Sequence, residues 1–222
     1  MAGAAGYPCG FNPQGCSLAN VPIPSMTYGS IVLASASPRR SRLLAQIGVR
    51  HEPFPVDLDE RPRNAETPAD YVMRIAGDKV KAAAAALGAR ATRPLLAADT
   101  AVVLGDRIFG KPVDEAHGVA MLLALGGRTH EVLTAVVLKW NGGQQCALNR
   151  SLVTFRPLDA EECRRYWATG EPAGKAGAYA IQGQGAVFVS RLEGSFSGVM
   201  GLPLYETAAL LDSAGVRRWG TP

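Results

Sequence analysis

Two long strand-like runs joined by a tight turn constrain this chain more than any other feature. "THEVLTAVVLKW" (129–140) and "QQCALNRSLVTF" (144–155) flank "NGG". Asn and Gly between two strand-forming runs are a strong hairpin signal, because both tolerate the positive φ that a tight turn demands. A hairpin commits the middle of the chain to antiparallel pairing. Elsewhere strands alternate with helices, a pattern that alone would give a parallel sheet. Together they predict an α/β fold with a mixed sheet.

The remaining elements follow from local chemistry. Ile31 to Ala34 reads as a short buried strand and "HEPFPV" as extended. Thr67–Pro68 opens a helix through about Leu87, with Asp70 in its first turn. "PLLAAD" and "TAVVL" read as extended, and Gly105–Asp106 turns the chain into "RIFG". Asp114 caps a helix ended by Gly126–Gly127, and Asp159 begins another that stops near Gly170. The Gly-rich "GKAGAYAIQGQGAVFV" is expected to hold two short strands. "GSFSGVMGLPL" reads as a loop before a last helix from Tyr205 to Ser213.

The chain has 222 residues, with 47% hydrophobic and 19% charged. That suits a globular domain, and no apolar run approaches the ~18 residues of a membrane span. A net charge of +4 fits an anionic ligand and is too weak to imply nucleic acid. Cys9, Cys16, Cys146 and Cys163 lack metal-ligand spacing, as do His51, His117 and His130, so reduced thiols in a cytoplasmic protein are expected. Residues 1–29 carry no charge and are rich in Gly, Pro and Asn. They read as a flexible tail without the marks of a signal or transit peptide, and Met26 is a candidate start. The globular domain is expected over 30–214, with a short tail over 215–222.

One helix start is chemically odd. In "LASASPRRSRLLAQIG" (33–48), Ser37 is a candidate N-cap, Pro38 suits the first helical position, and Arg39 and Arg40 follow. Cations repel the positive end of a helix, at roughly 0.3–1 kcal/mol each. A bound anion would reverse the sign, since helix N-termini and arginine both grip phosphate. A solvated surface pair is the alternative. Lys79 is a second oddity. The apolar stripe Val72, Ile75, Ala76, Ala83 includes it at helical spacing, whereas Arg74, Asp78 and Lys81 lie on another, solvated face. Lys79 either snorkels to water or serves a site.

Asp99 ends an apolar strand, where α/β proteins bind ligands; it can hold a cation, activate water or cap a turn. Thr100 follows it and either contacts ligand or continues the strand. Lys111 in "FGKP" reads by itself as a surface lysine, and "DLDERP", with Asp57, Asp59 and Glu60, reads by itself as a solvated acidic loop. "GEPAGKA" is one residue short of a P-loop, and "GQGAVF" lacks the third glycine of a dinucleotide fingerprint. A phosphate site here would therefore rest on side chains and one helix end.

Taken together, "LASASPRR", the Glu60 region, "DKVKA", "AADT", "GKP", "GAYAIQGQGA" and "GSFSGVMGLPLYET" resemble the Maf family of nucleoside triphosphate pyrophosphatases. The matching segments run in order from about Ile31 to Leu211. The resemblance implies an elongated mixed sheet flanked by helices, two lobes with a central active-site cleft, and often a homodimer. It implies that Ser35, Arg39, Arg40, Thr100, Lys111 and Gln182 bind substrate, and that Glu60, Lys79 and Asp99 form the catalytic group. Asp99 would be the proton acceptor, and Glu60 with Asp99 would hold a divalent cation (Mg²⁺, Mn²⁺ or Co²⁺). Arg39, Thr100 and Gln182 match the family's specificity positions.

The implied reaction is attack on the α-phosphorus by a metal-bound water that Asp99 deprotonates, with release of pyrophosphate. Four cations, Arg39, Arg40, Lys79 and Lys111, would face a triphosphate of roughly four negative charges. "AYAIQG" is similar to the subgroup acting on dTTP and UTP, without a membrane or stable nucleic-acid partner. Two alternatives stay open at this point. One is a pyrophosphatase for 7-methyl-GTP or other noncanonical nucleotides. The other is a non-catalytic nucleotide-binding regulator of septum formation, which would need the phosphate cations but not Asp99.

Overall fold

The computed structural model describes residues 28–219. The expected N-terminal tail up to residue 27, with Met26, lies outside the described residues. One mixed sheet of seven strands runs through the fold. In chain order they are β1 (Ile31–Leu33), β2 (His51–Pro53), β3 (Leu95–Leu104), β4 (Arg107–Phe109), β5 (Thr129–Trp140), β6 (Gly143–Phe155) and β7 (Val189–Glu193). The helices are α1 (Pro38–Gln46), α2 (Pro68–Leu87), α3 (Glu115–Leu125), α4 (Ala160–Ala168), α5 (Phe196–Met200) and α6 (Leu204–Ser213).

The hairpin forms where expected, with β5 and β6 in antiparallel register from Thr129 opposite Thr154 to Trp140 opposite Gly143; of the three turn residues only Gly143 takes a positive φ, 146°. β3 lies antiparallel along β5, from Leu95 opposite Lys139 to Val103 opposite Glu131. β1 runs parallel to both β3 and β2, which makes the sheet mixed. "PLLAAD" and "TAVVL" are thus one strand.

Helices cover both faces. α2 begins where Thr67 Oγ1 accepts from the Asp70 amide, with Pro68 at the first position. Its buried stripe packs Val72, Ala76, Val80 and Ala83 against Leu95, Ala97, Ala101 and Val103 of β3 and Leu133, Ala135 and Val137 of β5. The alanines on both sides let helix and sheet approach closely. On the opposite face α1 and α6 cover Leu96, Ala98, Val136 and Leu138. Farther along that face, α3 and α4 cover Val102, Val132, Val153 and Phe155. Each fully buried Leu, Ile, Val or Phe contributes about 1.5–3 kcal/mol.

The packed unit reaches past 30–214 at both ends. The Tyr28 amide donates to Gly215 O, the Arg217 amide donates to Tyr28 O, and Val216 is buried.

Three expectations need correction. The Gly-rich stretch is not two strands but two short 3-10 turns, Ala176–Ala178 and Gln184–Phe188, followed by β7. Gly177 and Ala178 both have positive φ (68° and 59°), which no strand accommodates. Gly177 sits where a Cβ would meet the Val102 side chain at 3.0 Å. "GSFSGVMGLPL" contains α5, capped by Ser195 Oγ accepting from the Gly198 amide. Arg74 is not solvated: Nε and Nη2 donate to Glu66 at 2.5 and 2.7 Å.

His130 is buried, bonded through Nε2 to Tyr179 Oη at 2.9 Å, and Nδ1 has no hydrogen-bond partner among the described residues. Burial lowers its pKa from 6.5 to about 4. Below pH 6.5 the unfolded chain binds a proton that the folded one refuses until about pH 4. Stability present above pH 6.5 is therefore lost as the pH falls through that window, by up to about 3 kcal/mol. In pH-dependent urea unfolding, the advantage of the parent over His130→Gln should shrink steadily between pH 7 and 4. A gap independent of pH would mean that this imidazole takes up its proton in the fold as readily as in the unfolded chain.

Candidate active site

One edge of β3 has a gap in its pairing. β5 occupies the other edge throughout, so β1 and β4 share this one. β1 stops at Leu96, and β4 begins at Val102. A cleft of about 880 Å³ opens at the gap, a size that suits a small organic ligand. All nine residues expected in the site line it: Ser35, Arg39, Arg40, Glu60, Lys79, Asp99, Thr100, Lys111 and Gln182. Lining side chains include six cations against three carboxylates, an excess of three positive charges.

Strand alternation sends Asp99 and Thr100 to opposite faces. Asp99 shares the face of Ala97 and Ala101, which α2 covers, and there it meets Lys79. Lys79 does not snorkel: it is 8% exposed, and Nζ lies 2.8 Å from Asp99 Oδ1 and 2.7 Å from Glu60 Oε1. One buried ammonium thus joins two carboxylates, and Lys111 Nζ stands 3.6 Å from Glu60 Oε2. The Glu60 loop is tied to α2 by the Arg74–Glu66 pair and by Tyr71 Oη donating to Glu60 O at 3.0 Å.

The two carboxylates are pushed in opposite directions. Burial drives Asp99 above the usual value of 3.8, outweighing the opposing pull of Lys79 and Arg40. Glu60 is also penalised by burial, but hydrogen bonding and charge from Lys79, with Lys111, hold it below its usual value. Carboxylates split in this way suit different roles, a basic one and a permanently ionised one.

Thr100 faces the other way, toward α1. The buried Arg40 donates from Nη2 to Thr100 Oγ1 (3.3 Å), from Nη1 to Ser35 Oγ (3.1 Å) and from Nε to Gly201 O (2.8 Å). These bonds fix the guanidinium and leave a second proton on each Nη. Arg39 is half-buried in the cleft wall, with Nε donating to Met200 O at 3.2 Å. Ser37 caps α1 by backbone geometry without a side-chain bond. Both arginines therefore bend from the helix start onto the α5 turn, 161 residues away in sequence. Gln182 is exposed in the cleft.

Sequence reasoning missed Lys175, which also lines the cleft and feels the charge of Arg39. It stands in "GEPAGKA", where a lysine between glycines was the available signal.

The sequence matches the family described as Maf-like protein over residues 30–214. The chain belongs to the Maf family. It is 51% identical to a dTTP/UTP pyrophosphatase of Saccharophagus degradans, over 85% of this chain and 90% of the relative. It is 53% identical to a dTTP/UTP pyrophosphatase of Methylococcus capsulatus, over 84% of this chain and 91% of that one. A dTTP/UTP pyrophosphatase of Cupriavidus metallidurans is 51% identical, over 84% and 97%. The Maf match takes in every one of the nine cleft residues.

The Lys79 ammonium separates charges that would otherwise repel in a poorly solvated place. Lys79→Met should cost about 3 kcal/mol at pH 8, as breaking a buried pair does. The cost should be smaller at pH 5, because without the ammonium Asp99 takes up a proton more readily. Urea unfolding of parent and variant at both pH values measures this. An equal cost at both would show that Asp99 stays ionised without Lys79.

Proposed function

We propose that this chain hydrolyses dTTP and UTP to the nucleoside monophosphate and pyrophosphate. The observation that carries the reading is the Asp99–Lys79–Glu60 group, set at an open strand edge in a cleft with surplus positive charge. The names of three relatives at 51–53% identity agree with it.

The residues divide the work by their chemistry. Arg39, Arg40 and Lys111 bind the phosphates, Arg40 with the two protons left over from its protein bonds. These donors are set before the reaction begins, so they stabilise charge as it develops, at no reorganisation cost. Asp99 accepts the proton of the attacking water; burial makes it more basic than a solvated aspartate. Lys79 keeps Asp99 ionised at neutral pH and fixes its position. Phosphoryl chemistry of this kind needs positioning and charge rather than a covalent nucleophile.

The family's reaction suggests a divalent cation, and the donor set fits one. Glu60 and Asp99 offer hard carboxylate oxygens, and Asp99 Oδ1 and Glu60 Oε1 lie on a common ammonium. No group of three or more His, Cys, Asp or Glu side chains gathers among the described residues. Phosphate and water would complete the shell, as is usual for Mg²⁺; Mn²⁺ and Co²⁺ suit the same donors. When bound, such a cation neutralises phosphate charge and polarises phosphoryl oxygens. Gln182 presents a donor and an acceptor to the edge of a pyrimidine.

Asp99→Asn should lower kcat for UTP by a factor of about 10² or more, with the melting temperature little changed. In the parent, log kcat/KM should fall with unit slope on the acid side, below a pKa above 3.8. Near-normal turnover in the variant, or orthophosphate as the main product, would refute the reading.

A further inference from the structure

"GEPAGKA" and "GQGAVF", the two glycine-containing stretches that match no phosphate motif, meet in the fold. The Glu171 carboxylate accepts three hydrogen bonds there: from the Gln184 amide to Oε2 (3.0 Å), from the Gly185 amide to Oε1 (3.0 Å) and from Tyr166 Oη to Oε1 (2.6 Å). Tyr166 Oη in turn accepts from the Ala180 amide at 3.1 Å. Between these anchors the chain makes a tight turn, with the Gly183 amide donating to Ala180 O at 3.1 Å. Gln182 is at the third position of that turn. Both glycines are required by the approach. A Cβ on Gly183 would meet Glu171 Oε2 at 2.1 Å, and one on Gly185 would meet Tyr166 Oη at 2.6 Å.

We infer that Tyr166 and Glu171 are positioning residues for nucleotide specificity, clamping the 180–185 turn so that Gln182 meets the base at a fixed place. This rests on the reading of Gln182 as a base contact. Tyr166 lies on α4, and its ring is packed on Phe188 in the core. The anchor is therefore rigid, whereas the Gln182 amide makes no hydrogen bond to a described residue and is placed by its backbone alone. Acceptor chemistry is central. An ionised carboxylate can receive two amides and a phenol together, and these bonds hold Glu171 below the usual carboxylate range despite its burial. In Glu171→Gln one oxygen becomes an NH₂ that faces a donor. Tyr166→Phe keeps the ring and removes the oxygen that joins Ala180 to Glu171.

Steady-state kinetics with UTP and GTP test this in the parent, Glu171→Gln, Tyr166→Phe, Gln182→Ala and the Glu171→Gln/Gln182→Ala double variant. The UTP-over-GTP ratio of kcat/KM should fall on the order of tenfold in Glu171→Gln, the size of one coupling between residues in contact. It should fall through KM for UTP, with kcat for both nucleotides little changed. Tyr166→Phe should move the ratio the same way, and it decides the matter if Glu171→Gln does not fold. In the Gln182→Ala background, Glu171→Gln should change the ratio no further. An unchanged ratio in folded single variants, or equal losses for both nucleotides that persist without Gln182, would overturn the inference. A parent that prefers UTP, with the preference intact in Gln182→Ala, would instead refute the base-contact reading on which it rests.

Discussion

Between Leu96 and Val102 one edge of β3 has no strand beside it among the described residues, and the site depends on that gap. A continuous ladder would put backbone and side chains of another strand where the cleft lies. Because β5 pairs the far edge without a break, β3 stays rigid although it is half-open. Alternation along it then separates two kinds of chemistry. Asp99 goes to the face where α2 brings Lys79, and Thr100 goes to the face where α1 brings Arg40. The Lys79–Asp99 pair and the Arg40 guanidinium are thus held on opposite faces of one strand.

The charges are arranged so that no buried one stands alone. Lys79 is shared by Asp99 and Glu60, and Arg40 is spread over Ser35, Thr100 and Gly201. Removing water from such groups costs several kcal/mol per ion and is offset only by good geometry. The same geometry leaves donors unused on Arg40 and leaves Asp99 more basic than in water. Groups that are positioned, desolvated and not fully satisfied are what a site for an anionic substrate requires.

Much of this was legible in the sequence where chemistry is local. The "NGG" turn announced β5 and β6, Thr67–Pro68 announced α2, and the stripe through Lys79 narrowed this lysine to two places, snorkelling at the stripe edge or serving a site. The arginine pair at the start of α1 stood out because it violates helix electrostatics, and both arginines line the cleft. What was not legible depends on distant partners. Backbone from the α5 turn holds Arg39 and Arg40, and nothing near "SPRR" predicts it. The Gly177–Ala178 backbone takes positive φ because it lies against Val102 and the "GKP" loop, so "GKAGAYA" only resembles a strand. Arg74 was misjudged as solvated because Glu66 reaches it from outside the helix. Glu171 was invisible as an anchor because its partners are backbone amides, which carry no residue signature.

The central claim is that water activated beside Asp99 attacks the α-phosphorus, while the cleft cations hold the departing pyrophosphate. Hydrolysis of UTP in ¹⁸O-enriched water, with mass analysis of both products, tests it directly. The account predicts one ¹⁸O in the nucleoside monophosphate and none in the pyrophosphate. Label in the pyrophosphate would place the attack on the β-phosphorus and contradict the account.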